Sequence, residues 1–271
     1  MFKPKSVCII TGGCGEISRE FIKRQITNDN DCLFVAIDLP EKEPLLTDWK
    51  RGENFGEQLL FLGVDLSDKF LLESVVGFFR ELRLPISGLV HTASLVGTSD
   101  LEGWSGTLEQ QNYEMFERAY RIGVSSIFFL IKELKSLMEV GNCSVVNIGS
   151  IYGVNPPDWR LYEGTEITNP VGYGTSKAAL LQLTRYMATL LAPRIRVNYV
   201  VLGGVERSQN TSFQRSYVSK VPMGRMATES DCASVIKFLL SIDSSYITGQ
   251  QLIVDGGFTS TLEFLGDKSG N

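Results

Sequence analysis

Short apolar runs rich in valine, isoleucine and leucine alternate along this chain with longer stretches in which apolar positions recur every three to four residues. Lys5 to Thr11 (KSVCIIT) is nearly continuous, as a central parallel strand covered on both faces should be. Similar runs follow at Cys32 to Ile37, Leu59 to Val64, Ile86 to Val90, Cys143 to Ile148, Ile195 to Val201 and Gln251 to Val254. Between them, helical spacing predicts helices over Glu16 to Ile26 and from a Ser67 cap to Arg83, where Phe70, Leu71, Val75, Phe78 and Phe79 mark the period. Others run from Tyr113 to Met138, from Tyr173 to just before Pro193, and from Ser230 to Leu240. This alternation predicts one α/β domain over residues 1–271, a doubly wound parallel sheet of about seven strands with helices on both faces.

The connections are uneven. Glu41 to Glu57, with Pro44 and two glycines, reads as a connection holding at most a short helix. Thr98 to Gln111 is polar and reads as a loop, and the segment after Val205 is polar as far as Lys220. An insertion at about residues 154–172 is expected to lie over whatever site the strand ends form, because long loops in compact domains usually serve function. Ile127 to Ile131 is apolar all round, so it should be buried against the sheet or against another subunit. A frayed carboxyl end is expected at Asp267 to Asn271.

Composition narrows the function. A chain of 271 residues with 43% apolar content can bury a full core. Its 26 basic and 31 acidic residues give net −5, without a Lys/Arg-rich run, which argues against nucleic acid as a partner. No apolar run approaches a membrane span or a signal segment, so a soluble, cytoplasmic protein is expected. Five cysteines without a C-x-x-C pair and the single histidine, His91, make a Cys/His metal site improbable. His91 itself reads as a structural loop residue.

The candidate chemistry gathers at strand ends. Thr11-Gly12-Gly13-Cys14-Gly15-Glu16-Ile17-Ser18 follows the first strand and opens a helix, an arrangement that brings backbone and helix dipole to a pyrophosphate. Asp38 ends the second strand, where a carboxylate accepts from ribose hydroxyls and repels a 2′-phosphate, favouring NAD over NADP. His91-Thr92-Ala93-Ser94 and Ser150 sit at later carboxyl ends. Tyr173 and Lys177 lie four residues apart on one helical face, so the ammonium is placed to lower the pKa of the phenol.

Ser150 with Tyr173-x-x-x-Lys177, the glycine turn, Asp65-Leu66, Val197-Asn198, Pro222-Met223-Gly224-Arg225-Met226 and Ile247-Thr248-Gly249-Gln250 before Val254-Asp255-Gly256-Gly257 together resemble the short-chain dehydrogenase/reductase family over nearly the whole chain. The resemblance implies a Rossmann-type fold. It also implies that Tyr173 exchanges a proton with the substrate oxygen, Ser150 holds that oxygen, and Lys177 lowers the tyrosine pKa and binds the nicotinamide ribose. Gly12, Gly15, Glu16 and Ile17 would line the cofactor phosphates, with Asp38 on the adenosine ribose, Asp65 and Leu66 near the adenine, and Thr92, Ala93, Gly203 and Val205 completing the cofactor site. A homo-oligomer, tetramer or dimer, is implied as well. The chain departs from the family where Asn-Asn-Ala-Gly is replaced by His91-Thr92-Ala93-Ser94, Pro-Gly by Leu202-Gly203, and the asparagine of the catalytic tetrad by Gly123.

The segment Pro156 to Thr165 is similar to the insertion of family members associated with bacterial surface-sugar and flagellar glycan modification. The expected activity is hydride transfer between NAD(H) and a secondary alcohol or ketone of a small molecule, in the sugar class on that resemblance. Trp159 and Arg160, with Tyr162, are expected to meet the substrate, with aromatic faces for a ring and a guanidinium for an anion. Arg207 is expected in the same space. Two other readings stay open: a dinucleotide-binding regulator without catalysis, and an epimerase or dehydratase with tightly held NAD.

Overall fold

The computed structural model describes residues 2–27, 31–96, 99, 101–162, 168–207 and 209–261. Seven parallel strands form one sheet in the order β3-β2-β1-β4-β5-β6-β7. They are β1 (Ser6–Thr11), β2 (Cys32–Asp38), β3 (Leu59–Gly63), β4 (Ile86–His91), β5 (Ser144–Ile148), β6 (Arg196–Leu202) and β7 (Gln251–Val254). The central strands explain the continuous apolar runs, because both of their faces are covered. Val7 and Ile9 of β1 join one core with Leu130, Leu134 and Leu180. Cys8 and Ile10 join the other with Phe21, Ile22, Leu46 and Ile236.

Those cores belong to two helical layers. On one face lie α1 (Glu16–Ile26), α2 (Glu43–Glu53) and α8 (Glu229–Leu240). On the other lie α3 (Lys69–Leu82), α5 (Ser126–Val140) and α6 (Val171–Leu191), with α4 (Tyr113–Tyr120) leading into α5 and the short α7 (Thr211–Val218) beyond β6. The chain leaves β1 toward β2 and β3, then crosses back to β4. That reversal puts the ligand crevice of a doubly wound sheet above the carboxyl ends of β1 and β4. Among the described residues, no helix is long and apolar enough to cross a membrane.

Several local expectations need correcting. Glu43–Glu53 is a full helix whose Pro44 sits in the first turn, where a missing N–H costs nothing, and whose end turns through Asn54 at φ 58°. Asp68, not Ser67, caps α3, accepting from the N–H groups of Phe70 and Leu71, while Ser67 donates to Asp65. The helix expected over Tyr113 to Met138 contains a π-type turn at Arg121–Ser125. His91 is no loop residue: it ends β4, fully buried, with Nε2 3.2 Å from the Gly123 carbonyl and Nδ1 2.7 Å from Thr11 Oγ1. Burial, with Lys177 nearby, pulls its pKa down to about 3, so the ring is neutral. Within Ile127 to Ile131, Phe128 faces outward and is 44% exposed, whereas Ile127, Leu130 and Ile131 are buried. The frayed end expected at Asp267 to Asn271, together with Thr98, Glu163 and Thr165, lies outside the described residues.

Candidate functional site

The turn after β1 is shaped for close backbone approach. Gly12 has φ +66°, and a Cβ there would stand 2.6 Å from Thr92 Oγ1 and 2.8 Å from the Ala93 nitrogen. Thr92 donates to the carbonyl of Thr11 at 2.6 Å and bonds Ser18 Oγ at 2.9 Å, so β4 and the start of α1 are tied to the turn. Gly15 stands at the amino end of α1, where no side chain caps the free N–H groups. Asp38 Oδ2 accepts from the Cys14 N–H at 2.9 Å and Oδ1 from the Leu39 N–H at 2.9 Å, fixing the carboxylate at the end of β2.

A cleft of about 660 Å³ opens above the strand ends. Ile17 and Thr92 line it at the glycine turn, Ser150, Tyr173 and Lys177 at its centre, and Gly203, Val205 and Arg207 on the β6 side. Ser150 follows β5 and accepts from the Tyr152 N–H at 3.2 Å. Gly149 beside it is required sterically, since a Cβ there would fall 1.8 Å from Tyr199 Cζ. The Tyr199 hydroxyl passes beneath and donates to the Lys177 carbonyl at 2.9 Å, which anchors the turn of α6 carrying the amine.

Lys177 is buried, and its Nζ donates to the Ile148 carbonyl at 2.8 Å. Burial pulls its pKa down to about 8. Nζ stands 5.8 Å from the centre of the Tyr173 ring. Burial also raises the Tyr173 pKa, against a smaller opposing effect of the Ser150 hydroxyl. The lowered phenol pKa expected from Lys177 is not found in the protein alone, where desolvation of the phenolate is the largest effect and raises it.

The expected peripheral residues are distributed unequally. Asp65 is held by Ser67 and by Arg118, whose Nη2 lies at 2.9 Å; burial opposes its charge, but these bonds keep the carboxyl below its usual range. Leu66 and Ala93 are buried in the core. Arg207 reaches the cleft wall, but its guanidinium pairs with Glu16 and Glu229 rather than facing open space. Glu16 is accordingly turned to Arg207. Trp159 is 58% exposed and lies outside the cleft lining, as does Arg160, whose guanidinium bonds both oxygens of Asp158 at 2.8 and 2.9 Å. Tyr162 does line the cleft.

Sequence reasoning missed Tyr152, Asn169, Phe213 and Tyr217, which form much of the outer wall. The last two carried a readable signal, since Asn210 caps α7 and Phe213 and Tyr217 fall four residues apart on one face of it. Their rings stand 6.0 Å apart, and Tyr162 meets Phe213 at 5.6 Å.

Known proteins share this organisation. A family model described as enoyl-(acyl carrier protein) reductase matches residues 29–259. The chain is 30% identical over 268 residues to an uncharacterized short-chain type dehydrogenase/reductase of Sinorhizobium fredii, covering 95% of this chain but only 44% of that longer protein. Over 255 residues it is 25% identical to the post-translational flagellin modification protein A of Campylobacter coli, with 93% and 97% of the two chains aligned. A short-chain dehydrogenase of Leptospira borgpetersenii solved with bound NAD+ matches with TM-score 0.80 at 26% identity, covering 95% of this chain and 94% of the other. By sequence and by sheet order alike, the chain belongs to the short-chain dehydrogenase/reductase family of NAD(P)-dependent oxidoreductases.

Proposed function

We propose that this protein interconverts a secondary alcohol and a ketone with NAD(H), using Tyr173 as proton donor and acceptor, Ser150 as the holder of the substrate oxygen and Lys177 as the cation beside them. The observation that carries the reading is the meeting of these three side chains on one cleft that continues to the glycine turn. A dinucleotide fits that cleft. Gly12 leaves space that a Cβ would fill, the amino end of α1 offers uncapped N–H groups, and Asp38 stands at the end of β2. When bound, the nicotinamide supplies or accepts the hydride.

Everything else falls to this chain. Ser150 Oγ bonds the substrate oxygen and fixes the carbon beside it. In reduction, Tyr173 Oη gives its proton to that oxygen, and in oxidation it takes the proton back. Its raised pKa keeps the phenol protonated at neutral pH, as a donor must be. Lys177, a few ångströms from the ring, stabilises the phenolate that forms, so its charge is used most when the tyrosine has lost its proton.

Asp38 favours NAD over NADP by repelling a 2′-phosphate. Among the described side chains that line the cleft, only Lys177 and Arg207 carry charge, and Arg207 is held by two glutamates. That composition favours an uncharged substrate, such as a neutral sugar derivative or another hydroxylated ring. We also assign the exposed apolar side chains of α5 and α6, Phe128, Tyr186 and Leu190, to contacts between copies of this chain in a tetramer or dimer. The testing experiment titrates NAD(H) and NADP(H) against the protein, then screens neutral and anionic alcohols and ketones by NADH absorbance. Nucleotide binding without any turnover across the screen would support a binding protein instead.

A further inference from the structure

The cleft contains a second polar point besides Ser150 and Tyr173. Tyr162 Oη donates to Tyr152 Oη at 2.6 Å and accepts from Asn169 Nδ2 at 3.3 Å. All three residues line the cleft, although Tyr152 comes from the turn after β5 and Tyr162 and Asn169 from separate parts of the insertion. The arrangement is braced: Asn169 is buried, and the Tyr162 ring lies between Trp159 at 5.9 Å and Phe213 at 5.6 Å. With Tyr162 as donor, the Tyr152 oxygen is filled as an acceptor while its own proton has no acceptor among the described residues. The neighbouring Tyr217 phenol is differently employed, since it accepts from the Gly204 N–H at 2.5 Å.

Tyr152 is half-buried on the cleft, so its phenol proton is open to solvent and can be handed to a ligand oxygen that takes the solvent's place. Among the described residues, the nearby cations are otherwise engaged. Lys177 bonds the Ile148 carbonyl, Arg207 is paired with Glu16 and Glu229, and Arg160 is on Asp158. We propose that Tyr152, positioned by Tyr162 and Asn169, is a second substrate anchor that donates to an uncharged oxygen on a ring-bearing alcohol or ketone, distinct from the oxygen that reacts at Tyr173. This anchor rests on the oxidoreductase reading for its chemistry, but its binding role is separable. Burial keeps the Tyr152 phenol protonated by raising its pKa, so the donor persists across the working pH range.

The test compares cyclohexanol with the 1,2-, 1,3- and 1,4-cyclohexanediols, by NADH formation and by ligand-observed NMR with the protein and NAD. In the wild type, at least one diol should exceed cyclohexanol about tenfold in kcat/KM or affinity, because a site built to meet a second oxygen rejects the analogue that lacks it. Tyr152→Phe keeps the ring and should bring that ratio near one, chiefly through KM. Tyr162→Phe should reduce it in the same direction. Absence of a diol preference in the wild type, or a preference surviving Tyr152→Phe, overturns the anchor while leaving hydride transfer intact. A Tyr152-dependent diol preference in binding with no NADH formed from any probe keeps the anchor and overturns the redox reading. Failure of every probe to bind overturns the anchor too.

Discussion

Replacing Lys177 with methionine should make the nucleotide-free protein more stable near neutral pH, and the gain should fade in alkali. The ammonium is 3% exposed and burial takes its pKa from 10.5 to about 8. At about 1.4 kcal/mol per pKa unit, that is a penalty of about 3 kcal/mol on the charged form in the folded chain. Methionine removes it, at the loss of the Nζ bond to the Ile148 carbonyl, a charged hydrogen bond of about 1.5 to 3 kcal/mol. The net gain is about 1 kcal/mol, or a rise of about 2–4 °C in Tm for a chain of this length. The pH dependence is the sharper signal. Because the folded pKa lies below the unfolded one, the unfolded chain binds more protons between about pH 8 and 10.5, and wild-type stability rises with pH through that window. Methionine has no proton to release, so the advantage of the variant should fall by about 2 kcal/mol between pH 7 and pH 10. Urea unfolding of both proteins at the two pH values reads this directly. A stability difference that does not change with pH would refute the claim that desolvation dominates at Lys177.

Other consequences can be measured separately. Asp38→Ala should narrow the preference for NAD over NADP by about tenfold in kcat/KM, since Arg19 and Lys42 lie within electrostatic reach of the same turn; an unchanged ratio would remove Asp38 from cofactor choice. Gly149→Ala must displace the Tyr199 ring, and should lower stability by about 2 kcal/mol or more in denaturant titration and reduce turnover; wild-type stability would contradict the close approach. Light scattering at micromolar concentration should give a dimer or tetramer, and a monomeric mass would return Phe128, Tyr186 and Leu190 to the ordinary surface.

The sheet was legible because a strand buried on both faces leaves an unbroken apolar run, as Val7 to Ile10 do. Helices with few buried positions were not. In α2 only Leu46 is fully buried, and Pro44 reads as a breaker unless its first-turn position is known. The cap of α3 was misplaced by one residue because Ser67 and Asp68 are both good capping types. Ser150, Tyr173 and Lys177 were readable because their spacing places them at one strand end and one helix turn. Of the outer wall, Tyr162 was legible, but Tyr152 and Asn169 were not, because they meet it through the path of the insertion. Arg160 shows a third case: Asp158, two residues away, was visible in the sequence, but only the folded turn shows the carboxylate accepting from both Nε and Nη2. The partners of Arg207 lie far away along the chain, and no local pattern could have found Glu16 and Glu229.

The central claim is that Tyr173 carries the proton, and its most direct measurement is paired. Tyr173→Phe keeps a ring against Lys177 and removes only Oη, so calorimetric affinity for NAD(H) should stay within about threefold of wild type while turnover falls by about a hundredfold or more. Turnover by Tyr173→Phe at the wild-type rate, with any substrate that the wild type accepts, would contradict the account.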